Sequence, residues 1–192
     1  MDQEQKKRKR WKIRNLGYFG YLRSLWQKKR YVEIVPEEIS EDDNVVDLIG
    51  DWYPFMLVKP CGVQKLEYIR SLLKKFGLML KEERWILDYN EAIPILFPSV
   101  DKRKIMYWRQ INRNFYEEGG KCKACVLMFE KDCDIGLLTK VKRLIRRSCG
   151  IDFFYIRDGE RPIYETSITP VHVPDPEDMQ MEFSRVMKYC NH

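Results

Sequence analysis

Nowhere in the 192 residues does an apolar run approach the roughly 18 residues that a membrane-spanning helix needs, so no membrane span is expected. The N-terminal segment is charged and lacks the apolar stretch of a secretory signal, so the expected location is cytoplasmic. No internal repeat is found beyond an alternation of strands and helices. Histidine is scarce: of the two, His192 is the last residue, so any imidazole chemistry in the folded body falls to His172. Cysteine is not scarce, but without a secretory signal the six cysteines are read as reduced thiols. Cys122-x-x-Cys125, with Cys133 and Cys149 downstream, has a zinc-like spacing. However, Cys122 to Phe129 reads as a buried strand, whose successive side chains point to opposite faces. Core packing is therefore favoured over zinc or a redox pair, and no protein-held metal is expected.

What is present is enough apolar residue, 44%, for a real core in one domain with an extension. The net charge of +6 is unevenly spread: residues 1–30 hold 11 Lys/Arg against 2 Asp/Glu, a balance of +9 that leaves −3 for the rest. This segment interleaves Lys6-Lys7-Arg8-Lys9-Arg10 with Trp11, Tyr18, Phe19, Tyr21 and Trp26. Such a pattern suits either a solvated arm packing its aromatics or contact with nucleic acid or another anionic surface. Residues 36–51 are acidic and read as a linker, so the division is an extension over 1–51 and a folded domain over 52–192.

Within the domain, strands are expected at Trp52 to Lys59, Gly77 to Leu87, Lys123 to Phe129 and Thr166 to Val173. Helices are expected at Gln64 to Phe76, over 88–97 and 101–116 with Pro94 and Pro98 interrupting, and from Asp134 to Arg147. A last helix is expected with Asp175 as N-cap and Pro176 in its first turn. Cys149 to Glu165 reads as an irregular loop. This order predicts an α+β, ferredoxin-like sandwich: a four-stranded antiparallel sheet with helices packed on it, plus the N-terminal extension.

Phe55 to Val63 reads Phe-Met-Leu-Val-Lys-Pro-Cys-Gly-Val, an apolar strand ending in Lys59-Pro60-x-Gly62-Val63 beside a helix start. Free backbone N–H groups and a mobile cation meet there, which suits phosphate. At a distance of 113 residues, Thr169-Pro170-Val171-His172-Val173-Pro174-Asp175 places the histidine at a strand end before a helix. Together the two segments resemble nucleoside diphosphate kinases, with Lys-Pro-Asp-Gly-Val at the first strand and Asn-x-x-His-x-Ser-Asp around the phosphate-accepting histidine. The resemblance covers about residues 53–190.

The resemblance implies transfer of the γ-phosphate of a nucleoside triphosphate to a diphosphate through a phosphohistidine at His172, with Mg2+ brought by the nucleotide. It implies that Lys59 binds phosphate and that Phe97 stands where a tyrosine lies near the histidine. Lys142 and Ser148 fall where an arginine and a threonine contact phosphate. Arg157 matches a loop arginine, with Arg161 as its rival, and Glu182 lies near a glutamate that orients the histidine. Tyr107 and Trp108 are both candidates for stacking on the base. Members are usually homo-oligomers, so a homo-oligomer is a further expectation. The chain departs from the pattern at Cys61, Thr169, Val173 and Pro174, where the family has an acid, an asparagine, a glycine and a serine. The alternative reading is a catalytically impaired nucleotide-binding or scaffolding module, tethered to nucleic acid by the basic arm.

Overall fold

The computed structural model describes residues 30–33, 50–150, 152–158 and 161–191. The chain forms two compact units, 1–30 and 31–192. The basic, aromatic arm and most of the acidic linker lie outside the described residues.

The main sheet contains β2 (Phe55–Val58), β3 (Leu80–Ile86), β4 (Ala124–Phe129) and β7 (Val171–His172) in the order β7-β2-β4-β3, every neighbouring pair antiparallel. Two-residue β8 (Cys190–Asn191) adds to the β3 edge. The short β1 (Arg30–Glu33) belongs to a second sheet, order β1-β5-β6, with β5 (Asp152–Asp158) and β6 (Arg161–Ile168). The fold is thus mixed, with a four-stranded antiparallel sheet carrying helices. Central strands β2 and β4 are buried at every residue, as expected where helices cover both faces of a sheet. On them lie α1 (Pro60–Val63), α2 (Leu66–Lys75), α3 (Tyr89–Leu96), α4 (Lys102–Tyr116), α5 (Ile135–Cys149) and α6 (Met179–Met187). Helix α2 packs on α5, and α3 on α4 and α6.

Local chemistry explains where the helices begin and end. Asp88, Asp101 and Asp134 cap α3, α4 and α5, each carboxylate accepting from a backbone N–H of the first turn. Helix α2 stops at Gly77, whose φ of +73° a side chain would disfavour. There Gly77 N–H bonds to Lys74 O and Leu78 N–H to Leu73 O. Buried Leu73 and Leu78 complete the motif on its apolar side. Pro94, expected to interrupt, sits inside α3. It cannot donate to the carbonyl of Asn90, and Arg109 Nε of α4 donates to that oxygen instead, at 2.8 Å.

Several expectations are corrected. The segment read as an irregular loop from Cys149 to Glu165 contains most of a hairpin, β5 paired with β6 from Asp152↔Ile168 to Asp158↔Arg161. The single expected strand from Thr166 to Val173 is divided between two sheets: β6 ends at Ile168, and β7 begins at Val171, past Pro170. Proline has no N–H for a ladder, so a strand change at this point is natural. The last helix is capped by Asp178 rather than Asp175, and Asp175 O accepts from Asp178 N in the preceding turn. Before α2, a separate helical turn, α1, starts directly at Pro60.

Candidate functional site

Strand pairing fixes the relation between Lys59 and His172. In the β2–β7 register Leu57 faces His172 and Val58 faces Val171, and Lys59 N–H donates to Pro170 O at 2.9 Å. Residues opposite one another share a face of the sheet, as do residues two apart on a strand. His172, Leu57 and Lys59 therefore emerge on one side. Gly62 permits this approach, because a Cβ there would lie 2.4 Å from the Pro170 carbonyl oxygen. The glycine of the Lys-Pro-x-Gly motif is thus required by the strand that carries the histidine.

Glu182, in the first turn of α6, accepts from His172 Nε2 at 2.6 Å. The helix start favours a negative charge at this position. With Nε2 holding the proton, Nδ1 is the ring nitrogen left with a lone pair. The two side chains are 21% and 18% exposed, enclosed but within reach of a solute. Burial pushes the His172 pKa below its ordinary 6.5, the Glu182 carboxylate opposes the shift, and the Lys59 and Lys142 charges add to it. The ring is consequently neutral at pH 7.

Phe97, just past the end of α3, packs edge-on against His172 with ring centroids 5.3 Å apart. The Lys59 ammonium lies 5.1 Å from the Phe97 ring and 5.5 Å from that of Trp108. Desolvation lowers the Lys59 pKa from 10.5 to about 8, with Cys61 and Glu182 opposing and Arg146 and Lys104 reinforcing the shift. Lys59 is therefore still mostly cationic at pH 7, and an anion beside it would raise its pKa again.

Helix α5 adds Lys142 and Arg146, one turn apart. Lys142 Nζ donates to Val173 O at 2.8 Å, and Arg146 Nε and Nη2 donate to Val171 O at 3.1 and 3.0 Å. β7 is the edge strand of its sheet, so these carbonyls have no strand partner on that side, and the two cations satisfy them. His172 is clamped between the two bonded carbonyls. Burial, followed by the Arg146 charge, lowers the Lys142 pKa. Arg146 is not among the site residues expected from the sequence; its spacing of four from Lys142 is the available signal.

The remaining sequence candidates are Ser148, Arg157, Arg161, Trp108 and Tyr107. Ser148 Oγ donates back to the Leu144 and Ile145 carbonyls of α5. Arg157 lies on β5 opposite Pro162, and Arg161 lies on β6; the side chains of both are outside the described residues. Of the two stacking candidates, Trp108 joins the cluster, its ring centroid 5.9 Å from that of Phe97. Tyr107 is buried in α4.

Behind Lys59 lies a cavity of about 180 Å³, walled by Lys59, Tyr89, Trp108, Asn112 and the 167–169 segment. No sequence motif pointed to it. Among the described residues, no three His, Cys, Asp or Glu side chains group as a metal site. Burial raises the Cys122 and Cys125 thiols to about 12, so both stay protonated and unreactive. No described helix is long and apolar enough to cross a membrane.

Compared with family models, curated proteins and solved structures, the chain matches none.

Proposed function

We propose that this chain is a nucleoside diphosphate kinase-like phosphotransferase that moves the γ-phosphoryl group of a nucleoside triphosphate to a nucleoside diphosphate through His172. The observation that carries the reading is one half-buried imidazole held at Nε2 by Glu182, with the Lys59 amine on the same face of the sheet. The strand order β7-β2-β4-β3 supports it, being the order 4-1-3-2 of a ferredoxin-like sheet when only the four main strands are counted.

In the first half-reaction Nδ1 of His172 attacks the γ-phosphorus. The N–P bond forms as the bond from phosphorus to the β–γ bridging oxygen breaks, and the diphosphate leaves with that electron pair. Nε2 keeps its proton, and Glu182 stabilises the positive charge that grows on the ring, as a carboxylate does behind any nucleophilic or basic histidine. Lys59 neutralises charge on the phosphoryl oxygens. A second diphosphate then attacks the phosphohistidine, and the same steps run in reverse. Magnesium belongs to the substrate, bound through nucleotide phosphate oxygens, a mode that needs no all-protein cage.

A second reading has its own observation. Lys142 and Arg146 already hydrogen-bond the Val173 and Val171 carbonyls, so part of the positive charge near His172 serves to hold the strand. This favours a nucleotide-binding module without turnover. Incubation with ATP labelled at the γ-phosphate separates the two. The kinase-like reading expects label on the wild-type chain and none on His172→Gln. Retained ADP binding without label would establish the second reading.

A further inference from the structure

The strand that carries His172 is thinly supported by its own sheet. β7 pairs with β2 over two residues, with one further bond from Lys59 N–H to Pro170 O. Pro170 and Pro174 bracket it, and neither has an N–H to donate. On its other side β7 is the edge of the sheet. A reacting group must be held to within about 0.5 Å of its working position, and so short an edge strand needs support from outside the sheet.

Helix α5 supplies that support. Carbonyls alternate in direction along a strand, so with Pro170 O turned to β2, Val171 O and Val173 O turn outward. Arg146 donates twice to Val171 O and Lys142 once to Val173 O. These carbonyls belong to the residues directly before and after His172.

Neither cation is committed to an acid: among the described residues, no carboxylate bonds Arg146 or Lys142. Burial pulls the Arg146 pKa below its usual value, yet a guanidinium stays charged at neutral pH. Its side-on fork, Nε with Nη2, converges on the one oxygen of Val171 and so is not open to clasp a phosphate in two places. Lys142 falls where the resemblance implies a phosphate contact, but its bond to Val173 O ties it to the strand.

We propose that Arg146 and Lys142 are positioning residues: through the Val171 and Val173 carbonyls they hold β7 so that the His172 ring meets Glu182 and presents Nδ1 to the phosphoryl group, and they do not themselves bind the nucleotide. The role rests on the phosphotransfer reading, but the clamp on the strand is measurable without turnover.

The test compares the full chain with Arg146→Met, Arg146→Lys and Lys142→Met. Methionine keeps an unbranched stem and removes the donors. Lysine keeps a donor, and Lys142 shows that a lysine on α5 reaches this strand. The first measurement is the Nε2 proton of His172, by NMR of the chain labelled with ¹⁵N at histidine and identified by its loss in His172→Gln. In the wild-type chain the bond to Glu182 should protect this proton from exchange. Arg146→Met should broaden or remove the signal, and Arg146→Lys should keep it. The second is ADP affinity by calorimetry. Both methionine variants should leave it nearly unchanged, whereas loss of a charge-assisted contact to phosphate would weaken it about tenfold or more. In label transfer from ATP, kcat should fall about a hundredfold in Arg146→Met, the effect of misplacing a reacting group by about 1 Å, with KM little changed. Lys142→Met, which frees Val173 O alone, decides the matter if Arg146→Met does not fold. No label on the wild-type chain would end the phosphotransfer reading and leave the clamp to be decided by the Nε2 proton. An Nε2 proton unprotected in the wild-type chain, one equally protected in both methionine variants, or ADP affinity lost while that proton is unchanged would overturn the proposal.

Discussion

A histidine accepts a phosphoryl group only while it is neutral, and a lysine steadies phosphate only while it is charged. At this site burial moves both groups toward their neutral forms. His172 titrates below 6.5, and Lys59 titrates at about 8 rather than 10.5. The proposed phosphoryl transfer therefore has a pH window. As pH falls below 6.5 the imidazole gains a proton and the rate of label incorporation falls; because its pKa is depressed, the loss begins at more acid pH than for an exposed histidine. As pH rises through 8 the amine loses its proton and the rate falls again. The expected profile of kcat/KM is a bell with its basic limb near 8, measured by rapid quench. Bound nucleotide phosphates raise the lysine pKa, so the basic limb of kcat should lie at higher pH than that of kcat/KM. A basic limb near 10.5 in kcat/KM would show that the amine is not enclosed as described.

At the scale of elements, the site depends on how closely α1 approaches β7. In Gly62→Ala the new methyl meets the Pro170 carbonyl oxygen, a backbone atom held in turn by Lys59 N–H. Alanine's better helix propensity is worth about 1 kcal/mol, less than the about 1–3 kcal/mol that such overpacking costs. A net loss of stability is therefore expected in urea unfolding, together with slower labelling as β7 shifts; an unchanged midpoint would contradict the close packing. This junction was legible in the sequence, because Lys-Pro-x-Gly and a lone histidine are local signals that survive without knowledge of packing. Glu182 could be placed within a residue by counting along the helix that follows. The β5–β6 hairpin was not legible. Asp158, Glu160, Arg161 and Pro162 crowd charge and a proline into its turn region and mask the alternation of Phe153 to Ile156. The polar staple of Asn90, Arg109 and Asn112 was not legible either, since it exists only when α3 and α4 lie side by side. The cavity wall on α4 is formed by the same pairing of helices, so it was not legible for the same reason.

Across the whole molecule, charge and chemistry divide between the two compact units. Residues 1–30 carry a balance of +9, while the rest of the chain, which holds every group of the candidate site, carries −3. A segment of this kind binds polyanions by releasing counterions, with affinity that falls steeply with salt. The full chain should be retained on single-stranded DNA at low salt and released as salt rises. A chain of residues 31–192 should lose that retention and still take label from ATP. Equal retention of both chains, or loss of label on truncation, would place the two activities in one unit. Glu182 holds Nε2, so in the proposed phosphotransfer Nδ1 of His172 is the atom that bonds to phosphorus. The most direct measurement is ³¹P and ¹⁵N NMR of the protein after incubation with ATP and magnesium. Transfer through His172 predicts a phosphohistidine at residue 172 linked through Nδ1. Phosphate on Nε2, phosphate on another residue, or no covalent phosphate while nucleotide is bound would contradict it.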